Sequence, residues 1–153
     1  MSKDKMSIHW GIIGAGNIAH RFAASLRHQP DSTLIAISGR NAEKLEQFAN
    51  KFNVEKIYLD HEQLLNDPNI NAVYISLPHE LHKEWILKSI EYHKPVLCEK
   101  PLALFEKDVV EIQKASNDRK VLVMEAMKTK FIPGYIKMKE LIMSNQIGEL
   151  KSI

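Results

Sequence analysis

The sequence predicts an α/β protein built on a doubly wound parallel sheet, followed by the truncated start of a second α/β domain. Three observations predict it. Six short apolar runs alternate with segments of helical periodicity, the first run ends in a glycine-rich turn that opens a helix, and the rhythm breaks at Pro133 and Gly134 after the sixth run. Parallel strands need crossovers, and right-handed crossovers are helical, so this alternation yields a sheet covered on both faces.

Ile8 to Ile13 is the first strand, and Asn17 to His28 places Ile18, Phe22 and Leu26 at helical spacing beside Ala19 and Ala23. Leu34 to Ile37 is the second strand; a helix beginning near Asn41 carries Leu45, Phe48, Ala49 and Phe52 on one face. Ile57 and Tyr58 form a third strand. Asp60 with Gln63 three residues on resembles a capping box for a short helix bearing Leu64 and Leu65, which Pro68 ends. Ala72 to Ser76 is the fourth strand, followed by the loop at Pro78 and a helix with Leu81, Trp85, Ile86 and Ile90 inward. Pro95 to Cys98 is the fifth, Leu104 to Ser116 a helix with Val109 and Ile112 inside, and Val121 to Met124 the sixth. Beyond it, a helix starting at Pro133 and Gly134 turns Met138, Leu141 and Ile142 inward, with Met138 and Met143 as ordinary packing. Gly148 stops it, and Glu149 to Ile153 opens a further strand. The expected division is a sheet domain over residues 1–124 and a boundary helix with a first strand over 125–153.

The 153 residues suffice for one well-buried core, and 44% hydrophobic with 26% charged residues is a globular balance. Its 21 basic and 19 acidic side chains are scattered, giving a formal net charge of +2 and no cationic stripe, so nucleic acid is not an expected partner. Cys98 is the sole cysteine, which excludes an intramolecular disulfide and fits a reducing cytoplasm; it reads as a packed core thiol rather than a nucleophile. Met1 to Ser7 lacks the apolar stretch of a signal peptide, and no run approaches the ~20 residues that span a bilayer, so no membrane partner is expected and the chain reads as cytoplasmic. The seven histidines include no HxxxH or HExxH, so no metal site is expected.

The first strand runs into Gly14, Ala15, Gly16, Asn17, Ile18 and Ala19, a GxGxxA turn opening a helix. Gly14 allows the sharp turn, Gly16 lets a pyrophosphate approach the backbone, and Ala19 lets helix and strand pack closely. The helix start at Asn17 and Ile18 offers free N–H groups and a positive dipole to phosphates, as in a Rossmann-type dinucleotide site. A carboxylate that would accept from both ribose hydroxyls is missing at the end of the second strand, which reads Ser38, Gly39, Arg40, Asn41. Arg40 is a planar fork suited to a phosphate and Ser38 adds a hydrogen bond, so NADP is the expected cofactor, with NAD as the alternative.

The fifth strand empties into Glu99, Lys100 and Pro101 at the carboxyl edge, where a doubly wound sheet places its ligand. GIIGAGNIA at Gly11 to Ala19, VLCEKPLA at Val96 to Ala103 and MEAM at Met124 to Met127 together resemble the Gfo/Idh/MocA family of oxidoreductases, over nearly the whole chain. The SGR stretch, and MEAM followed by Thr129, Phe131 and Pro133, most resemble the dihydrodiol and xylose dehydrogenase branch.

The resemblance implies that Lys100 is the catalytic lysine beside the nicotinamide, that Glu99 orients cofactor or lysine, and that Pro101 fixes the turn, often through a cis peptide. A lysine held in a partly desolvated cleft beside a cationic ring has its ammonium form disfavoured, which suits proton transfer. The loop Leu77, Pro78, His79, Glu80, Leu81, His82 resembles the family's cofactor-lining segment; His82 matches its histidine, whereas Leu77 and His79 stand where threonine and asparagine are common. Lys128 and Lys130 flank Thr129 where the related branch has tryptophan and arginine. Relatives continue into an α/β domain that binds a sugar, polyol or cyclic diol and commonly mediates oligomerisation. The resemblance thus implies an NADP-binding half that turns over little substrate alone. Two alternatives stand: a non-catalytic NADP-sensing regulator, which would not need Lys100, and a homo-oligomer paired through the exposed terminal strand.

Overall fold

The computed structural model describes residues 7–149 and 151–152. Six strands, β1 (Ile8–Ile13), β2 (Ser32–Ser38), β3 (Lys56–Tyr58), β4 (Ala72–Ile75), β5 (Val96–Cys98) and β6 (Val123–Glu125), form one sheet in the order β3-β2-β1-β4-β5-β6. Every pairing is parallel. The connecting helices are α1 (Asn17–Leu26), α2 (Ala42–Phe52), α3 (His61–Asn66), α4 (His82–Glu91) and α5 (Glu106–Arg119), with α6 (Pro133–Met143) after the last strand.

Alternation along the strands divides the interior into two layers. Ile12, Ile37 and Tyr74 join Ala19, Ala23, Leu45 and Phe48 of α1 and α2 in one core. Ile13, Val73, Ile75, Val96 and Cys98 join residues of α3, α4 and α5, among them Leu64, Ile86 and Ile112, in the other. Successive strand residues point to opposite faces, so Ile12 and Ile13 must serve different layers.

Local signals place the helix starts. Asn41 accepts from the Lys44 N–H at 2.9 Å and Asp60 from the Glu62 N–H at 2.8 Å. The Asp60 cap therefore works without the reciprocal Gln63 contact of a capping box. Asn53, at φ 56°, ends α2 in the left-handed conformation.

Several expectations are corrected. Val109 is 37% exposed, because only Ile112 of α5 turns fully inward. β6 starts two residues later and ends one later than expected, since Lys120 at φ 55° ends α5 and Val121 donates back to the Ser116 carbonyl. α6 stops at Met143, before Gly148. It has no fully buried residue: Met138 is 46% and Met143 78% exposed, while Leu141 and Ile142 are half-buried. Of the expected final strand, Glu149, Lys151 and Ser152 are not in strand conformation, and Leu150 and Ile153 lie outside the described residues. Among the described residues no helix is long and apolar enough to cross a membrane.

Candidate functional site

The register aligns the last residues of all six strands in one row, Tyr58, Ser38, Ile13, Ile75, Cys98 and Glu125. The candidate residues follow within a few positions, so parallel pairing alone brings Gly14, Arg40, Leu77 and Lys100 to one edge. The strand order reverses between β1 and β4, and there the sheet opens a crevice.

Gly14 sits at this reversal with φ 99°, and a Cβ there would lie 2.9 Å from the Ser76 carbonyl oxygen, so only glycine fits. Its N–H donates to the Ser38 carbonyl at 2.9 Å, and the Ser76 hydroxyl donates to the Gly14 carbonyl at 2.9 Å. The turn is thus anchored to the ends of β2 and β4. Gly16 differs. A Cβ there would meet nothing nearer than the Ser76 oxygen at 3.9 Å, so packing does not demand glycine. Gly16 starts α1 without a side-chain cap and with no acid in the first turn, leaving the N–H groups of Asn17 and Ile18 for another acceptor. Open space over uncapped amides fits a diphosphate.

Ser38 is corrected. Its side chain is fully buried, donating to the Ile12 carbonyl at 3.4 Å and lying 2.8 Å from Nδ1 of His61, so it does not face a ribose. Arg40 is exposed and lines a cleft of about 380 Å³ with Asp60, His61, Leu77, Pro78 and Trp85. Burial holds the His61 imidazole below its ordinary value, opposed by Asp60 and assisted by Arg40.

Lys100 is exposed and precedes a cis peptide to Pro101. Glu99 does not engage it. The nearly buried Glu99 carboxylate accepts from the Tyr74 hydroxyl at 2.5 Å and pairs with Lys128 at 3.2 Å. Burial, together with the bond to Glu99, holds the Tyr74 phenol far above its usual range. These groups border an apolar cavity of about 420 Å³ lined by Phe22, Leu97, Met124 and Phe131, with Ile18 and Ser25 of α1 also on its wall. Cys98 is fully buried, and burial, then Glu99 and Glu125, push its thiol up to about 12.

His82 also takes another role. Its ring is fully buried, with Nδ1 2.8 Å from the Pro101 carbonyl oxygen and Nε2 2.9 Å from that of Leu77. It fastens the loop after β4 to the loop after β5 and does not line the crevice. Glu125 adds to this by accepting from the Leu102 N–H at 2.8 Å. Pro78 and His79 remain exposed. Sequence reasoning missed Ser76, His61 and the anchoring by Glu125; each lies just past a strand end or closes one, a position that all parallel strands share. Among the described residues no group of three or more His, Cys, Asp or Glu is placed to hold a metal ion.

Residues 8–127 match the family model GFO_IDH_MocA, the oxidoreductase family with an NAD-binding Rossmann fold. The chain belongs to the Gfo/Idh/MocA family. Gfo/Idh/MocA relatives include the trans-1,2-dihydrobenzene-1,2-diol dehydrogenase of Mus musculus, 35% identical over 95% of this chain and 44% of that protein. The Xenopus tropicalis enzyme of the same name is 35% identical over 97% of the chain and 46% of its own length. The chain thus spans under half the length of these curated relatives. Among solved structures, a probable dehydrogenase from Thermotoga maritima superposes with a TM-score of 0.87 at 30% identity, covering 92% of this chain and 42% of that one. A mutant 3-ketoreductase from Actinomadura kijaniata, in complex with TDP-benzene and NADP, gives a TM-score of 0.87 at 28% identity over 94% of this chain and 46% of that one.

Proposed function

We propose that the chain binds a nicotinamide dinucleotide across the carboxyl edge of its sheet, prefers NADP to NAD, and serves oxidation or reduction at a hydroxyl-bearing carbon of a sugar, polyol or cyclic diol. One observation carries the binding reading: α1 begins at an uncapped glycine with open space above its amides. Gly14, Gly16, Asn17 and Ile18 hold the diphosphate. Arg40 holds the 2′-phosphate, and with no carboxylate ending β2 the edge offers that ribose a cation instead of an acid. The loop residues Leu77, Pro78 and His79 line the path between, and His82 sets that loop's position through Pro101. The NADP-bound 3-ketoreductase of the same fold supports the choice of phosphate.

A bound nicotinamide supplies the hydride donor or acceptor. Lys100 is the catalytic residue, its Nζ holding the proton of the substrate oxygen. Lys100 is exposed, and no described residue excludes water from it, so the chain by itself binds cofactor with little turnover. The names of the diol dehydrogenases and the 3-ketoreductase support a hydroxyl or keto substrate. Calorimetric titration of the purified chain tests the reading: NADP binds more tightly than NAD. Tighter NAD binding overturns the preference, and binding of neither overturns the site.

A further inference from the structure

His61 is the first residue of α3 and lies in the cleft that also holds Arg40. Its two ring nitrogens face different surroundings. Nδ1 is 2.8 Å from the Ser38 hydroxyl, which is fully buried and donates its own proton to the Ile12 carbonyl. Protonation puts an N–H on both ring nitrogens, so the cationic ring presents Nε2–H to the cleft whichever way the bond between Nδ1 and Ser38 runs. Nε2 has no hydrogen-bond partner among the described residues and is not among the buried unpartnered atoms, so it reaches the solvent of the cleft. The ring is held edge-on to Trp85, with centroids 4.6 Å apart and planes at 85°. Ser38 and Trp85 together fix the imidazole like a ligand-reading group.

The charges facing His61 are Arg40 from the β2–α2 loop, Asp60 before α3, and Glu84 and Lys88 from α4. Asp60 is engaged in capping α3, and Lys88 pairs with Glu62 and, at 3.7 Å, with Glu84. Among the described residues Arg40 has no such ion-pair partner, which leaves a cation and a titratable ring nitrogen as the groups to meet an anion there.

We propose that His61 reads the 2′ position of the adenosine ribose beside Arg40, donating through Nε2 to the 2′-phosphate of NADP when protonated. This rests on the proposed occupation of the cleft by the adenosine end of the dinucleotide. The cofactor preference then depends on pH. Near neutrality His61 is uncharged and adds nothing against the phosphate; as pH falls it becomes a second cation there, and NADP gains. The phosphate itself takes up a proton near pH 6, which weakens its hold on Arg40 in any variant. A variant lacking the imidazole supplies the reference that removes this common effect.

The test uses the purified chain, titrated with NADP and NAD between pH 5.5 and about pH 8, alongside His61→Asn and His61→Gln. The NADP-to-NAD affinity ratio of the natural chain, divided by that of each variant, rises about tenfold as pH falls across this range. In the natural chain, the NMR titration of His61 moves upward by about one pH unit or more with 2′,5′-ADP and much less with 5′-AMP. A divided ratio constant within about twofold, or equal movement with both nucleotides, overturns the role of His61 while leaving the site intact. If neither cofactor binds at any pH, the dinucleotide site falls and His61's role falls with it.

Discussion

Nδ1 of His82 lies 2.8 Å from the carbonyl oxygen of Pro101, with the ring wholly inside the protein and its other nitrogen on Leu77. One side chain therefore ties the loop that follows β4 to the turn that follows Lys100. An imidazole with one N–H donates to one of these carbonyls at a time, so replacing it strands one half-buried carbonyl at a cost of about 1–3 kcal/mol. His82→Ala should lower the urea midpoint accordingly and weaken NADP binding through the loop that its buried ring holds. Unchanged stability would remove the clamp.

The two turn glycines should respond differently to a methyl group. Gly14→Ala forces a non-glycine residue to φ 99° and a Cβ to 2.9 Å from the Ser76 oxygen, so it should destabilise the fold by about 1–3 kcal/mol. Gly16→Ala has room in the protein, so thermal melting should move little while NADP affinity drops about tenfold or more. Equal loss of stability in both variants would contradict the assignment of Gly16 to a ligand.

Arg40→Ala should weaken NADP about 10- to 100-fold, the range of a lost charge-assisted contact, and change NAD less than about threefold. Parallel losses for both cofactors would place Arg40 away from the 2′ position.

Acid stability should depend on Asp67. Burial alone would raise its carboxyl, but Lys56 at 2.6 Å, the Asn69 N–H at 2.9 Å and the Tyr58 hydroxyl at 2.9 Å bring it well below its ordinary 3.8. A depressed folded value means stability present above the unfolded value and lost as pH falls through the folded one. The acid loss assigned to Asp67 thus starts below about pH 3.8. Asp67→Asn should be less stable at pH 7 and show a flatter acid limb in urea titrations at stepped pH.

Cys98, with its thiol pushed up to about 12 and no exposed surface, should resist iodoacetamide at pH 8 in the native fold and react fully in urea. Native labelling within minutes would contradict its burial.

Much of this was legible in the sequence, because the signals are local. Ile12 and Ile13 fall on opposite faces of β1, the glycine turn follows directly on that strand, and Asn41 and Asp60 cap by reaching two or three residues ahead. What was misread depends on partners far along the chain. Ser38 looked free to meet a phosphate, but as the last residue of β2 its hydroxyl turns in toward Ile12 and His61. His82 was singled out, yet the role of its ring follows from where Pro101 lies, which spacing does not encode. Met138, Leu141 and Ile142 have the period of a buried face, and periodicity says which side is apolar without saying what covers it. His61 carried no motif; its meaning comes from sharing a cleft with Arg40.

The most direct measurement is the backbone amide spectrum of the chain as NADP is added. The account predicts the largest shifts at Gly14, Gly16, Asn17 and Ile18, with a second group at Arg40 and His61 that NAD perturbs less. Shifts confined to α5 and α6, with the amides at the start of α1 unmoved, would contradict it.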